Sequence, residues 1–411
     1  MTPQIIFIIL VAIIVVDFFF ENWLELLNLN NLSEKLPEEL KDLYDVEKYA
    51  KSQNYVSVNI NFGFITSSFN LFLIFGMFFL GGFVWVDALA AKISTHPVLQ
   101  PIIFFGIIGL AFDIINIPFA VYDTFVIEQR FGFNKTTPRL FVADKLKGLA
   151  LSAIIGGGLM ALIVWFYLQT TVYFWLWAWL LVSLFTLFMA FFYSSLIVPL
   201  FNKQKPLEEG ELKRQITLHA KQAGFQIDKI FTIDGSKRST KANAYFSGLG
   251  RKKRIVLYDT LISELSTDEI VAVLMHEIGH YRRKHIVSGM IMSFVQTGVM
   301  LYIFLLFVSQ PVLSQALGFS EAKFHIGLIT FGILYSPISI AIGLIMNTIS
   351  RKNEFQADNF AAGFGLGNDL IGALKKLSVS NLSNLTPHPI YVFFHYSHPT
   401  LLQRIRNLES R

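Results

Sequence analysis

Not one cysteine occurs among the 411 residues. Structural disulfides are therefore excluded, and so is any thiolate metal ligand, which leaves His, Asp and Glu to hold a metal. Charge is scarce as well. Asp, Glu, Lys and Arg make up 15% of the chain, against about 25% in ordinary soluble domains. With 53% hydrophobic residues and 41 Phe, that shortage excludes a water-soluble globular protein and puts the chain in a bilayer. No internal repeat or low-complexity tract is present. The first apolar stretch has no basic residue before it and no small-residue cleavage pattern after it, so it reads as a retained helix and not as a signal peptide.

Seven stretches are long and apolar enough to span as helices: 5–20, 62–86, 101–122, 149–168, 172–199, 286–308 and 326–346. Of the 34 Lys and Arg, 32 fall on one side of this topology, and only Lys92 and Lys323 fall on the other. Positive-inside bias then puts the N-terminus outside and the C-terminus in the cytoplasm. The net charge of +5 is a consequence of this topology. Its charges flank spans and no base-reading motif accompanies them, so nucleic acid is not expected as a partner. Asp17, Asn70, Asp113, Asn116 and the glycines at 156–158 lie at membrane depth. They fit a wet interior, and helix packing accounts for the glycines equally well.

The expected organisation is 1–201 with spans one to five, 202–285 as a small cytoplasmic α+β insert, 286–348 with spans six and seven, and 349–411 as a cytoplasmic tail. Within the first of these, 21–61 is an acidic amphipathic loop with a short helix at 35–40 lying along the membrane face. In the insert, 208–223 reads as an amphipathic helix, and 226–233, 242–247 and Arg254–Tyr258 read as short strands between Gly- and Lys/Arg-rich turns. A helix over 266–280 follows, with Ser266 as N-cap and Glu269 as its capping-box partner. No Pro or Gly separates Arg282 from His285, so this helix is expected to continue into span six.

That helix carries His276-Glu277-Ile278-Gly279-His280, the pattern H-E-x-x-H. Imidazoles four positions apart share one helix face, about one 5.4 Å turn apart, and can reach a single metal. A catalytic zinc has three protein ligands and an open position. After two further spans the chain returns to the same side, where Glu354 and Asp358 are again four apart. Alone, that pair reads as a charged helix end. Beside H-E-x-x-H, Glu354 becomes the third ligand and Asp358 the carboxylate that orients a ligand imidazole. Glu277 is the expected general base, which takes a proton from water and passes it to the leaving amine.

These residues, together with Glu128-Gln129-Arg130-Phe131-Gly132-Phe133-Asn134-Lys135, Ala242-Asn243-Ala244-Tyr245-Phe246, and His398-Pro399 with Arg404, make the whole chain resemble the CaaX prenyl protease 1 family. These are the Ste24-type membrane zinc metalloproteases of peptidase family M48. The resemblance implies an all-α polytopic membrane protein, its seven helices forming a barrel around a water-filled chamber with one zinc at the cytoplasmic end. It implies a zinc endopeptidase acting near the C-terminus of peptide or protein substrates, with or without a lipid attached. His398 and Arg404 are its implied oxyanion donors. Asn243, Ala244 and Tyr245 are its implied substrate-binding edge, where an extended peptide would add as a strand. A eukaryotic source implies prenylated substrates at the endoplasmic reticulum; the compact insert mildly favours a bacterial inner membrane. Two alternatives stand beside this reading. An HtpX-like quality-control protease would have about four spans, and a non-catalytic chamber or scaffold would not need Glu277.

Overall fold

The computed structural model describes residues 1–33, 46–227, 229–247 and 254–410. The short helix expected at 35–40 lies outside the described residues. Six helical segments among them are long and apolar enough to cross a membrane: Pro3–Asn30, Val46–Phe79, Leu99–Phe131, Pro138–Phe201, His285–Val308 and Phe324–Ala362. The fourth is 64 residues long and folds back on itself. At the 3-10 turn Thr171–Tyr173 the backbone of Thr171 takes φ 39°, and Gly157–Thr170 then packs against Phe174–Leu196. Spans four and five are thus two arms joined by three residues, and the apolar crossings number seven.

The second span differs from its expected bounds. Its helix starts at Val46 and stops at Phe79, because Gly81 adopts the left-handed φ of 68°. A separate helix, Gly82–Ile93, then packs beside span three. Asp87 on this short helix anchors the far end of the molecule. Its Oδ1 accepts hydrogen bonds from Gln100 Nε2 at 2.8 Å and His325 Nε2 at 2.9 Å, and its Oδ2 pairs with Lys323. The carboxylate is almost fully buried, so three donors replace the water it has lost.

The spans are not packed as a solid bundle. In the most apolar windows of spans two and three only 6% of residues are buried, so these helices act as a wall with two exposed faces. Asp113 and Lys145 form an ion pair at 2.6 Å, with 27% and 34% of their side chains exposed. Charges at this depth face protein or water, not lipid, so this pair marks a side of span three that is turned away from lipid. Span one is tied to span seven through Asp17 and Ser336. At the other end, Glu21, Glu25, Tyr55, Asn59, Asn384 and Tyr391 line a cavity of about 540 Å³ between spans one and two and the C-terminal segment.

The extramembrane part is built on a four-stranded sheet of order β1-β2-β4-β3, comprising β1 Gln204–Pro206, β2 Lys229–Ile233, β3 Ala244–Ser247 and β4 Arg254–Tyr258. The sequence does not signal β1, which carries Pro206; proline is tolerated there because β1 is an edge. β2 and β4 run parallel, and β3 pairs antiparallel with β4, Tyr245 opposite Val256. The helix Glu211–Gln222 lays Ile216 and Ala220 into the core. The insert does not close that core alone. Leu370 and Ala373 from Gly367–Ser380 and Leu408 from Leu401–Glu409 pack into the same cluster as Ile255, Leu257, Ile270 and Met275.

Candidate metal centre

The helix Thr267–Arg282 begins as its sequence dictates. Ser266 Oγ accepts from the Glu269 N–H at 3.3 Å, and Glu269 Oε2 accepts from the Ser266 N–H at 2.7 Å. Two orphan donors at the helix start are thereby satisfied. Glu269 is also paired with Lys376 at 2.7 Å, which pins the helix to Gly367–Ser380. Ile270, Val271, Ala272, Leu274, Met275 and Ile278 are all buried, so the helix is a core element whose register is fixed by packing on several sides.

The expected continuation into span six does not occur. The helix ends at Arg282, Lys284 takes the left-handed φ of 60°, and a new helix starts at His285. The turn is closed by the Arg283 N–H donating to the Gly279 carbonyl and the Lys284 N–H donating to the Tyr281 carbonyl. By contrast, span seven continues without interruption from Phe324 to Ala362. Its extension lies directly against the H-E-x-x-H helix. A Cβ at Gly279 would stand 3.0 Å from Phe360 Cβ and 3.1 Å from Ala357 Cα, so the absence of a side chain there is what lets the two backbones approach. Glu354 and Asp358 sit on the same extension, so Gly279 sets their distance from the imidazoles.

His276, His280 and Glu354 converge, their ligand atoms all within 4.8 Å of one another. The two Nε2 atoms are 3.2 Å apart, Glu354 Oε1 is 3.1 Å from His280 Nε2, and Oε2 is 3.4 Å from His276 Nε2. These spacings can be tested against a metal. Zinc–ligand bonds of about 2.05 Å at tetrahedral angles put neighbouring donor atoms about 3.3 Å apart. The edge between the two imidazoles matches, and each imidazole has one Glu354 oxygen at a comparable distance. In addition, Glu354 Oε2 is buried without a hydrogen-bond partner, an arrangement that is costly for a carboxylate unless a cation completes it. The residues present therefore fit a metal ion.

Asp358 is fully buried and accepts from His276 Nδ1 at 2.8 Å, which leaves the Nε2 lone pair of His276 directed at the other donors. Burial disfavours a charged His276 ring, but the Asp358 and Glu354 carboxylates beside it outweigh that and raise its pKa. Arg404 stands behind Asp358: Nε donates to Oδ2 at 2.9 Å and Nη2 to Oδ1 at 2.5 Å. Its remaining Nη1 is 3.8 Å from Glu354 Oε2. Thr400 and Gln403 form a second capping box, which starts the helix that carries Arg404.

The structure brings His398 to the same carboxylate, with Nε2 3.3 Å from Glu354 Oε1. At 62% exposure its ring is the open side of the site. The neighbouring histidines are engaged elsewhere: His388 caps Pro389–His395, and His395 pairs with Glu21 at 3.2 Å. Arg351, a residue sequence reasoning passed over, holds this segment in place by donating to the Tyr396 carbonyl at 2.6 Å. Glu277 is half-buried one residue beyond His276.

Asn243, Ala244 and Tyr245 enter and form the edge strand β3, whose outer side has no strand partner among the described residues. Lys241 fixes the approach to this edge: Nζ donates to Glu128 Oε2 at 2.9 Å and lies 4.4 Å from the Phe133 ring centre. The segment 128–135 is thus in one contact network with residues 238–241, which lead into β3.

Comparison with known proteins agrees with this arrangement. Residues 25–203 match the model for the CAAX prenyl protease N-terminal region with five membrane helices, and residues 206–411 match that for peptidase family M48. CAAX prenyl protease 1 of Saccharomyces cerevisiae is 37% identical, covering 96% of this chain and 93% of its own length. The homologue of Homo sapiens is 30% identical, covering 91% and 89%. The crystal structure of Ste24p from S. mikatae superposes with a TM-score of 0.92 at 36% identity, covering 98% of each chain. The fold coincides over nearly the full length, and the chain belongs to the CAAX prenyl protease 1 group of the membrane metallopeptidases of family M48.

Proposed function

We propose that this membrane metallopeptidase is a zinc endopeptidase that cleaves near the C-terminus of peptide or protein substrates, lipidated CaaX-type ends included. The single observation that supports it most is the convergence of His276, His280 and Glu354, their ligand atoms within 4.8 Å of one another. A zinc ion held there would polarise the scissile carbonyl and acidify water. Glu277 is free of ligand duty in this scheme. It removes the proton from the attacking water and delivers it to the leaving amine. His398, exposed on the open side of the site, donates a hydrogen bond to the oxygen on which charge develops.

Arg404 is assigned differently from His398. Its guanidinium is committed to Asp358 in a two-point pair, so it positions Asp358 and, through it, His276. The substrate backbone lies along the outer edge of β3, taking hydrogen bonds from the Asn243 to Tyr245 stretch without strict side-chain reading. An apolar wall with a side turned away from lipid suits a substrate that is part peptide and part lipid. Seven crossings disfavour the four-span HtpX-like reading, and a scaffold would have no use for Glu277.

The expected result is one zinc per purified chain, with cleavage of a C-terminal peptide lost on chelation and restored by zinc alone. Peptide cleavage that survives complete zinc removal would sink this reading. For topology we propose an outside N-terminus and a cytoplasmic C-terminus, supported by 32 of 34 Lys and Arg falling on one side. A reporter fused after residue 411 should be active only when confined to the cytoplasm; activity on the other face overturns the orientation.

A further inference from the structure

His285 stands at the helix break that the sequence does not announce. Its Nδ1 is 3.1 Å from His280 Nδ1, and its Nε2 is 3.1 Å from Gln356 Oε1. Gln356 lies on the span-seven extension, two residues after Glu354. A three-member chain therefore runs from one metal-facing imidazole back to the helix that carries the third donor.

The hydrogens along this chain are determined by its ends. With His280 Nε2 directed at the other two donors, its hydrogen sits on Nδ1 and donates to the Nδ1 lone pair of His285. His285 must then carry its own hydrogen on Nε2, where it donates to Gln356 Oε1, a pure acceptor. Each donor meets one acceptor, and each tautomer is fixed by the next partner. The two imidazoles of the site are thereby backed unequally. A charged Asp358 stands behind His276, whereas a neutral imidazole and an amide stand behind His280.

The backbone supports the same conclusion. A continuous helix would place residue 285 five positions from His280, about 140° of azimuth away from it, and the two rings could not meet. The left-handed residue Lys284 reverses the chain so that they do. Lysine has no intrinsic reason to adopt that conformation, and the break makes sense when His285 must be aimed at His280.

We infer that His285, held by Gln356, is a positioning residue for His280 and sets how tightly the chain holds its metal. This rests on the reading that His276, His280 and Glu354 are the metal ligands. The full-length chain in detergent should be titrated with zinc against a chromophoric chelator, and its cobalt form examined by absorption. Wild type should bind one equivalent and His280→Ala should lose it. His285→Ala should weaken zinc about 10- to 100-fold and shift the cobalt ligand-field bands. His285→Asn, which keeps an acceptor where Nδ1 stood, should recover most of the affinity. Gln356→Ala, at an exposed position where folding is not at stake, should weaken binding in the same direction by a smaller factor. Wild-type affinity and an unchanged cobalt spectrum in His285→Ala, while His280→Ala still loses the metal, would overturn the inference. Absence of metal from the wild type would instead overturn the ligand assignment beneath it.

Discussion

Glu277→Gln retains about one zinc per chain and loses peptide hydrolysis by about 10²- to 10⁴-fold in kcat, the range that a positioned general base contributes. That loss corresponds to about 3 to 5.5 kcal/mol of transition-state stabilisation. The separation of the two readouts follows from geometry. In the proposed donor set His276, His280 and Glu354 supply the three ligands, so removing the Glu277 carboxyl should take nothing from the metal. Gln keeps the shape and half-buried packing of the side chain but cannot accept a proton. Metal analysis on the purified variant beside single-turnover cleavage of one peptide checks both halves. Cleavage within tenfold of wild type would remove Glu277 from the base role, and loss of zinc would mean that its carboxylate supports the ligands.

Much of this site is legible in the sequence because it is encoded locally. A capping box at Ser266 and Glu269, and the intervals 276 to 280 and 354 to 358, follow from helix period alone, and the structure realises each of them. Composition and span length give the membrane architecture for the same reason: lipid imposes its demand on each segment separately. What sequence reasoning misses is tertiary in cause. Gly279 looks like a filler inside H-E-x-x-H, yet its lack of a side chain is measured against Ala357 and Phe360, 78 and 81 positions away. Lys284 breaks a helix without Gly or Pro because His285 is needed elsewhere. Span two ends early at Gly81, a residue whose mirror-side φ is only one of the options glycine allows. The resemblance implies Arg404 as an oxyanion donor, and the fold adds what the sequence does not show, that Asp358 accepts from two of its three nitrogens.

Asp358→Ala tests that last point with the largest expected effect on stability. The Asp358 side chain is 0% exposed and that of Arg404 12%, and the pair is closed by two hydrogen bonds. Burial works against the arginine charge, yet the carboxylate more than offsets it and raises the Arg404 pKa. Removing Asp358 leaves a buried cation without its hydrogen-bonded partner and with only the Glu354 carboxylate at 3.8 Å, and breaking such a buried pair costs about 3 to 5 kcal/mol. It also frees His276 Nδ1 from its acceptor, so zinc affinity should fall about 10- to 100-fold. The double variant Asp358→Leu with Arg404→Met separates these two consequences. Apolar side chains of similar volume remove the stranded charge, and replacing both partners of a buried pair is often neutral; unfolding in detergent should therefore return most of the way to wild type. Zinc affinity should not return, because His276 still lacks its acceptor. Recovery of both properties together would mean that Asp358 serves only to neutralise Arg404. A single variant as stable as wild type would mean that water reaches the guanidinium and the pair is not the buried brace behind the metal ligands.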